Sequence, residues 1–128
     1  MLLDKGAAHP FDFDDCEYSW FASDVAIALY YAAGFDGPTV LAPWTDMDQR
    51  SFCSHFLKDF MAGYRTENRL DPGWLRQIPG FMRLRALIMY VLARKHLDLT
   101  SLTESERATL MFHRDAVAQD AWADLKLE

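Results

Sequence analysis

The fold is decided by residues 11–33, which read FDFDDCEYSWFASDVAIALYYAA. Carboxylates and aromatic residues alternate at the start of this stretch, whereas the run from Trp20 to Ala33 is almost entirely apolar and rich in alanine. Gly34 follows this run and is a typical helix stop. A helix that is apolar on every side is expected at the centre of a domain. The sequence therefore predicts a buried helix over residues 20–34, with an acidic loop before it.

Upstream of this loop, residues 1–13 predict a short β-hairpin. Asp4, Lys5 and Gly6 form a turn between two short apolar runs, which is a hairpin pattern. Pro10 is expected at the end of a strand, because proline cannot donate a hydrogen bond to a neighbouring strand.

Downstream, residues 46–125 predict a helical bundle. Thr45 or Asp46 is expected to cap a long amphipathic helix with an apolar stripe at helical spacing. The stripe consists of Phe52, Cys53, Phe56, Leu57, Phe60, Met61 and Tyr64. A short helical turn follows over residues 71–78, and Pro79 with Gly80 is expected to interrupt it.

Two further helices complete the bundle. One is predicted from Phe81 to His96, and the other is opened by Thr103 and Glu106, which have the spacing of a capping box. The last helix is expected to direct four residues toward the core, namely Met111, Ala118, Trp122 and Leu125. The predicted fold class is mainly α (α+β), with a short N-terminal β-hairpin followed by four or five helices in a single domain, residues 1–128.

Bulk composition excludes some classes of protein. The chain has 128 residues, a formal net charge of −6 and 51% hydrophobic residues. A duplex-DNA-binding domain needs a basic surface, so nucleic acid is not an expected partner. The apolar run at residues 20–33 is too short to cross a bilayer and contains Asp24, so a cytoplasmic protein without membrane contact is predicted.

The acidic loop is the stretch that suggests chemistry. Asp12 and Asp14 point to the same side if the strand continues through them, and neighbouring carboxylates repel one another unless a cation lies between them. Carboxylate oxygens suit Mg²⁺, which takes one or two carboxylates together with phosphate oxygens. A solvated acidic turn explains the same residues equally well. The four histidines are expected at the surface or in the last turns of helices.

The run HPFDFDDC at residues 9–16, followed by Tyr18, Trp20 and Asp24, resembles the aminoglycoside-phosphotransferase and choline-kinase-like family. In that family a strand ends in a hydrophobic–Asp–hydrophobic–Asp motif, and a buried helix with an Asp in its first turn follows. The resemblance covers residues 1–33, and beyond them only the helical pattern agrees. It implies that the chain corresponds to the C-terminal part of the C-lobe of a kinase-like fold.

The resemblance also implies roles for particular residues. Asp12 corresponds to the Asp that binds the Mg²⁺ bridging the phosphates of ATP. Asp14 is a candidate for a second metal ligand, for a group that supports the metal site or for one that receives a cationic substrate. Asp24 corresponds to the buried helix Asp that supports the catalytic loop. An alternative for Asp24 is a carboxylate stabilised by the helix dipole. Asp15 and Glu17 are expected to be exposed acidic residues.

Other parts of the family pattern do not occur in these 128 residues. The family's glycine-containing phosphate loop, its phosphate-binding Lys and its catalytic loop His-x-Asp-x-x-x-x-Asn are absent, so no catalytic residue is assigned in this chain. The chain is expected to be the C-terminal fragment of an ATP-dependent small-molecule phosphotransferase, inactive alone, with weak or no binding of Mg²⁺ and ATP. Apolar surface left uncovered in such a fragment predicts a homo-oligomer or pairing with a complementary N-terminal half.

Two other interpretations stay open at this point. The chain could be a non-catalytic helical interaction module that reuses the fold. It could also be a free-standing helical protein unrelated to kinases, which would require the hairpin to be absent.

Overall fold

A computed structural model describes residues 2–9, 18–33 and 49–118. The described part is mainly helical, which confirms the predicted fold class. Its elements are β1 (Leu2–Asp4), β2 (Ala7–His9), α1 (Phe21–Ala32), α2 (Gln49–Glu67), α3 (Pro72–Leu75), α4 (Ile78–His96) and α5 (Glu104–Ala118). None of these helices combines the length and apolar character that crossing a membrane requires.

Strands β1 and β2 pair in antiparallel register, with Leu2 opposite His9 and Asp4 opposite Ala7. The turn between them contains Lys5 at φ 48° and Gly6 at φ 82°. Positive φ at both central residues is the geometry of two-residue hairpin turns that match the twist of paired strands. The predicted continuation over residues 10–13, and the acidic loop after it, lie outside the described residues.

Helix α4 is the central element of the described bundle and packs against both α1 and α5. The helix α1 also contacts α2, so that one apolar core joins all four long helices. The largest fully buried side chains in this core are Tyr30, Leu29, Ile78, Met82, His113, Val25 and Cys53.

The helix α1 is not buried on every side, contrary to the prediction for residues 20–34. Its buried face includes Val25, Leu29 and Tyr30, whereas 61% of Phe21 and 37% of Tyr31 is exposed. The described bundle contacts α1 mainly through α4 and α2, and two neighbouring helices cover only one face of a third. The apolar run therefore overstates how much of this helix the chain itself encloses.

The apolar stripe of α2 is confirmed. Cys53, Leu57 and Met61 are buried in the core. The remaining members of the stripe pack against that core as partly buried residues, namely Phe52, Phe56, Phe60 and Tyr64. The predicted start of this helix at Thr45 or Asp46 lies outside the described residues.

The predicted interruption at Pro79 and Gly80 is wrong. Both residues lie in the first turn of α4, and the chain breaks instead at Arg76 and Gln77, between α3 and α4. A proline is tolerated in a first turn because its missing N–H has no acceptor within the helix there.

The capping box at the start of α5 is confirmed. The Glu106 carboxylate accepts hydrogen bonds from the backbone N–H of Thr103 at 2.8 Å and from its hydroxyl at 2.6 Å. The Glu106 N–H in turn donates to the Thr103 hydroxyl at 3.3 Å.

The core face of α5 differs from the prediction. Met111 is 39% exposed and Ala118 is exposed, whereas His113 and Ala116 are the buried residues of this helix. The inward face of α5 is therefore the one that carries His113 and Ala116, and not the one that carries Met111 and Ala118. Trp122 and Leu125 lie outside the described residues.

Candidate functional site

The predicted metal ligands, Asp12 and Asp14, lie outside the described residues, as do Asp15 and Glu17. Among the residues that the structure describes, no group of three or more His, Cys, Asp or Glu side chains is placed to hold a metal ion. The assignment of Mg²⁺ and ATP to Asp12 and Asp14 therefore stays a prediction from the sequence.

Asp24 lies in the first turn of α1 and is exposed. Within the described bundle, Asp24 therefore lies on the solvent side of the helix, whereas Val25 and Leu29 are buried. A carboxylate in a first turn interacts favourably with the helix dipole, which agrees with the alternative interpretation. Its role in supporting a catalytic loop stays a prediction.

One concave feature of the described residues is the α3–α4 cavity, with a volume of about 480 Å³. It is lined by Asp71, Gly73, Trp74, Gln77, Gly80, Phe81 and Leu84. The cavity lies at the break between α3 and α4, where Trp74 of one helix contacts Phe81 of the next. Small-molecule sites are typically concave, mostly apolar and of this size.

Phe81, which lines this cavity, packs against two other aromatic rings. The ring centroids of Trp74 and Phe81 are 6.3 Å apart, and those of Trp20 and Phe81 are 5.8 Å apart. Both pairs are tilted, within the distance range of favourable aromatic contacts. Phe81 thus lies between two tryptophans, one before α1 and one in α3.

A carboxylate lies at the rim of the α3–α4 cavity. Asp71 caps α3, and its Oδ1 accepts a hydrogen bond from the backbone N–H of Gly73 at 2.6 Å. A Cβ atom at position 73 would lie 2.8 Å from this Oδ1, so glycine is required for the carboxylate to hold its place. Asp71 itself is exposed, and the cap fixes its carboxylate beside Trp74.

A second cavity, of about 360 Å³, lies between the C-terminal half of α4 and α5. His113 lines it and is only 1% exposed, and the Tyr30 hydroxyl lies 2.9 Å from the His113 Nδ1. The prediction that all four histidines are superficial is therefore wrong for His113. Burial of this imidazole is compensated by a hydrogen-bonding partner from α1 that sequence proximity does not reveal.

The other described histidines agree with the prediction. His9 and His96 are exposed, and the Nδ1 of exposed His55 lies 2.8 Å from the carbonyl oxygen of Ser51, one helical turn earlier.

Sequence reasoning missed the α3–α4 cavity. Asp71 was interpreted only as a helix start, and the pair of Pro79 and Gly80 only as an interruption. The available signal was two large aromatic residues, Trp74 and Phe81, on either side of a helix break. That signal does not by itself separate a cavity wall from ordinary core packing.

The chain as a whole is similar to part of a kinase. It is 42% identical over 113 residues to amicoumacin kinase of Bacillus subtilis (strain 168), and the match covers 88% of this chain and 32% of that protein. The chain thus spans about a third of the length of the curated relative it matches. No known protein-family profile matches the chain. No solved structure matches it.

Proposed function

We propose that this chain is the C-terminal part of an ATP-dependent small-molecule phosphotransferase, which in its complete form transfers the γ-phosphate of ATP to a substrate hydroxyl. The observation that carries this proposal is the 42% identity to a kinase over 88% of the chain. The Asp motif at residues 11–15 supports it, because the motif resembles the metal-binding strand end of aminoglycoside-phosphotransferase-like enzymes.

Asp12 is the residue to which the proposal gives a direct chemical role. As the Mg²⁺ ligand, it would help to neutralise the charge that spreads over the phosphoryl oxygens during transfer. Asp14 would assist in metal binding, and Asp24 would act indirectly, through the segment against which the first turn of α1 packs in the complete enzyme.

The chain alone is proposed to be inactive. The complete pattern His-x-Asp-x-x-x-x-Asn does not occur in its 128 residues. The triplets beginning at His96 and His113 match its first three positions, but Thr103 and Asp120 stand where the Asn is needed. Catalysis of phosphoryl transfer consists mainly of positioning and electrostatic stabilisation, so loss of the base and of a metal ligand removes most of it.

An exposed apolar surface on α4 supports the proposal that the described bundle is part of a larger protein. The α4 apolar patch consists of Leu87, Ile88, Val91 and Leu92, which are 43%, 40%, 54% and 42% exposed. Residues three and four positions apart lie side by side on a helix, so these four form one continuous surface. The relative is about three times as long as the match, and we propose that the corresponding remainder of the kinase covers this patch.

The same patch favours the second candidate, a non-catalytic helical interaction module. Contiguous exposed apolar surface marks interaction sites in soluble proteins. The two candidates differ at Asp12, which only the phosphotransferase requires.

A chimera distinguishes these candidates. This chain would replace the corresponding third of amicoumacin kinase, and phosphorylation of amicoumacin would be measured with Mg²⁺ and ATP. We expect the chimera to be active and the isolated chain to be inactive. In the chimera, Asp12→Asn is expected to lower kcat by at least about a hundredfold, as for the loss of a group that stabilises transition-state charge.

Asp15→Asn is the matched control, since it removes a neighbouring carboxylate that is expected to be exposed. Loss of activity in both variants would indicate a general effect of loop charge. Full activity of the Asp12→Asn chimera would refute the proposed role, and phosphorylation by the isolated chain would refute its inactivity.

A further inference from the structure

We infer that the buried pair of Tyr30 and His113 is a pH-sensitive contact, through which uptake of a proton by His113 releases α5 from the rest of the bundle. The inference goes beyond the proposed function, because it concerns how α5 is held and involves no phosphoryl transfer. It rests on the burial of one imidazole, on the hydrogen bond that this imidazole makes and on the few buried side chains that attach α5 to the bundle.

The imidazole of His113 lies in an apolar environment. It is the only buried His, Asp, Glu, Lys or Arg side chain that the structure describes, with 1% of its surface exposed. Its neighbours on α5, Phe112 and Ala116, pack in or against the apolar core. A charge in such surroundings is strongly disfavoured unless an opposite charge lies close to it. The closed bundle therefore favours the neutral ring.

The hydrogen bond with Tyr30 also suits the neutral ring. The Tyr30 hydroxyl lies 2.9 Å from the His113 Nδ1. A neutral imidazole has one N–H and one acceptor nitrogen, whereas the protonated ring has two N–H groups. Where Nδ1 is the acceptor, protonation reverses this bond, and the hydroxyl proton of Tyr30 needs another acceptor in the core. Where Nδ1 is the donor, protonation still places a positive charge among apolar side chains.

The groups that α1 and α4 present near His113 do not offset a positive charge. Helix α1 supplies the neutral phenol of Tyr30. Helix α4 supplies exposed His96, which lines the same cavity as His113, and Arg85, which donates to the hydroxyl of Tyr31 beside Tyr30. Arg85 is a cation and His96 becomes one in acid, so both oppose a further positive charge nearby.

The charged groups of α5 itself are engaged elsewhere. Arg114 and Asp115 are about half exposed and pair with each other, with 2.6 Å between Nη2 and Oδ1. Glu106 lines the cavity, but its carboxylate accepts hydrogen bonds from Thr103. It also lies two helical turns before His113, a rise of about 10 Å, which is about the distance over which salt screens charges.

Helix α5 is attached by few buried side chains. His113 and Ala116 are its buried residues, and it packs mainly against α4. Phe112 and Val117 are only partly buried against the core. Elements with few buried contacts open locally before the rest of a fold unfolds. A charge on His113 therefore weakens the attachment of α5 first, while α1, α2 and α4 keep their shared core.

The direction of the pH effect depends on which state binds the proton. An imidazole in water takes up a proton near pH 6.5, as His113 can do once α5 has opened. The stability that neutral His113 gives to the closed bundle is therefore fully present above about pH 6.5 and is lost progressively below it. One proton limits the effect to about tenfold per pH unit, so the opening constant of α5 should rise about thirtyfold from pH 7.5 to 5.0.

Amide hydrogen exchange of the 128-residue chain, followed by nuclear magnetic resonance and corrected for the intrinsic pH dependence of exchange, measures this constant. From pH 7.5 to 5.0 we expect the protection of α5 amides to fall about thirtyfold and that of α1 amides to change by less than about threefold. His113→Gln keeps a hydrogen-bonding side chain that does not titrate, so its α5 protection should also change by less than about threefold. His55→Gln is the matched control, because His55 is exposed, and it should keep the wild-type response.

The ring nitrogens provide a second measurement that does not require the His113→Gln variant to fold. Long-range proton–nitrogen correlation spectra of the wild-type chain distinguish neutral from protonated imidazoles. We expect His113 to stay neutral in the closed bundle down to pH 5.0, whereas exposed His55 becomes protonated.

Three results would overturn the inference. The first is α5 protection that is independent of pH in the wild type, or that has the same pH dependence in His113→Gln. The second is a protonated His113 ring with α5 protection unchanged. The third is an equal loss of protection in α1 and α5, which would show unfolding of the whole bundle instead of release of α5.

Discussion

The hydrogen bond between Tyr30 and His113 joins two residues that are 83 positions apart in the sequence. Tyr30 is fully buried and His113 is 1% exposed, so neither side chain can exchange this bond for water. Their rings are also stacked, with centroids 6.4 Å apart. The bond gives the buried Nδ1 of His113 a partner, so it links the folding of α1 to that of α5.

We expect Tyr30→Phe to lower the free energy of unfolding by about 1–3 kcal/mol, because it leaves the buried Nδ1 of His113 without this partner. Urea unfolding of the chain, followed by far-ultraviolet circular dichroism, measures the change. Tyr18→Phe removes the same hydroxyl group from a fully exposed residue and is expected to have no effect. Equal stability of the Tyr30→Phe variant and the wild-type chain would show that the bond contributes nothing.

Among the elements, α5 has the best-defined start. Thr103 and Glu106 satisfy each other's backbone N–H groups, and the side-chain and backbone hydrogen bonds from Thr103 lower the pKa of Glu106 below its ordinary value. The loop before α5 is organised in a similar way. The hydrogen bonds that Asp98 accepts from Thr100 and Ser101 lower the pKa of the Asp98 carboxyl.

We expect Thr103→Ala to destabilise the chain by about 1 kcal/mol near neutral pH, because helix caps contribute about that amount. The pKa of Glu106 is lowered in the folded state. The contribution of its ionised carboxylate to the stability of the fold is therefore present above the ordinary pKa of 4.5, and it is lost as the pH falls through the lowered value. The difference between Thr103→Ala and the wild type should therefore shrink as acid unfolding curves are measured from pH 7 to below pH 4.

Thr66→Ala provides the control for this prediction. The Thr66 hydroxyl donates to the carbonyl oxygen of Gly63 within α2, so its loss removes no cap and places a better helix former in the helix. Its stability should match or exceed that of the wild type at every pH. A difference for Thr103→Ala that stays constant down to low pH would contradict the role of the ionised carboxylate.

Local sequence patterns predicted the elements that are stabilised by residues close to one another in the sequence. The stripe on α2 repeats at helical spacing, and the capping box of α5 spans only three positions, so both could be identified without tertiary contacts. The break between α3 and α4 was placed wrongly because Pro79 is compatible with either a helix start or a helix end. The inward face of α5 was also misjudged, since the burial of His113 depends on Tyr30 in a distant helix.

In the candidate site, too, some features could be predicted from the sequence and others depend on tertiary structure. The sequence singled out Asp12, Asp14 and Asp24 through a resemblance, and the roles of all three stay predictions. The α3–α4 cavity could not be predicted, because it arises from the angle between two helices. Trp74 and Phe81 become cavity walls only after that angle is set.

At the scale of the whole molecule, α4 is both the centre of the described core and part of its surface. Its inner face buries Ile78, Met82 and Ala86 between α1 and α5, whereas the α4 apolar patch faces outward. Burial of apolar surface contributes about 25 cal/mol per Å², so a covering helix would gain substantial stabilisation at this patch. The exposed part of α1 around Phe21 adds apolar surface that the described bundle does not enclose.

A double substitution, Leu87→Glu with Val91→Lys, tests the role of the patch. Both side chains are about half exposed, and a Glu followed four positions later by a Lys favours the helix, so the stability of the isolated chain should change by less than about 1 kcal/mol. The remaining two-thirds of amicoumacin kinase, produced as a separate polypeptide, would be mixed with this chain and analysed by sedimentation velocity. We expect a one-to-one complex with the wild-type chain and at least a tenfold weaker complex with the double variant, because the charged groups would have to be desolvated at the interface.

An unchanged affinity of the double variant would refute the patch as the contact surface. A wild-type homodimer that the substitution dissociates would identify a second copy of the chain as the partner that covers the patch instead.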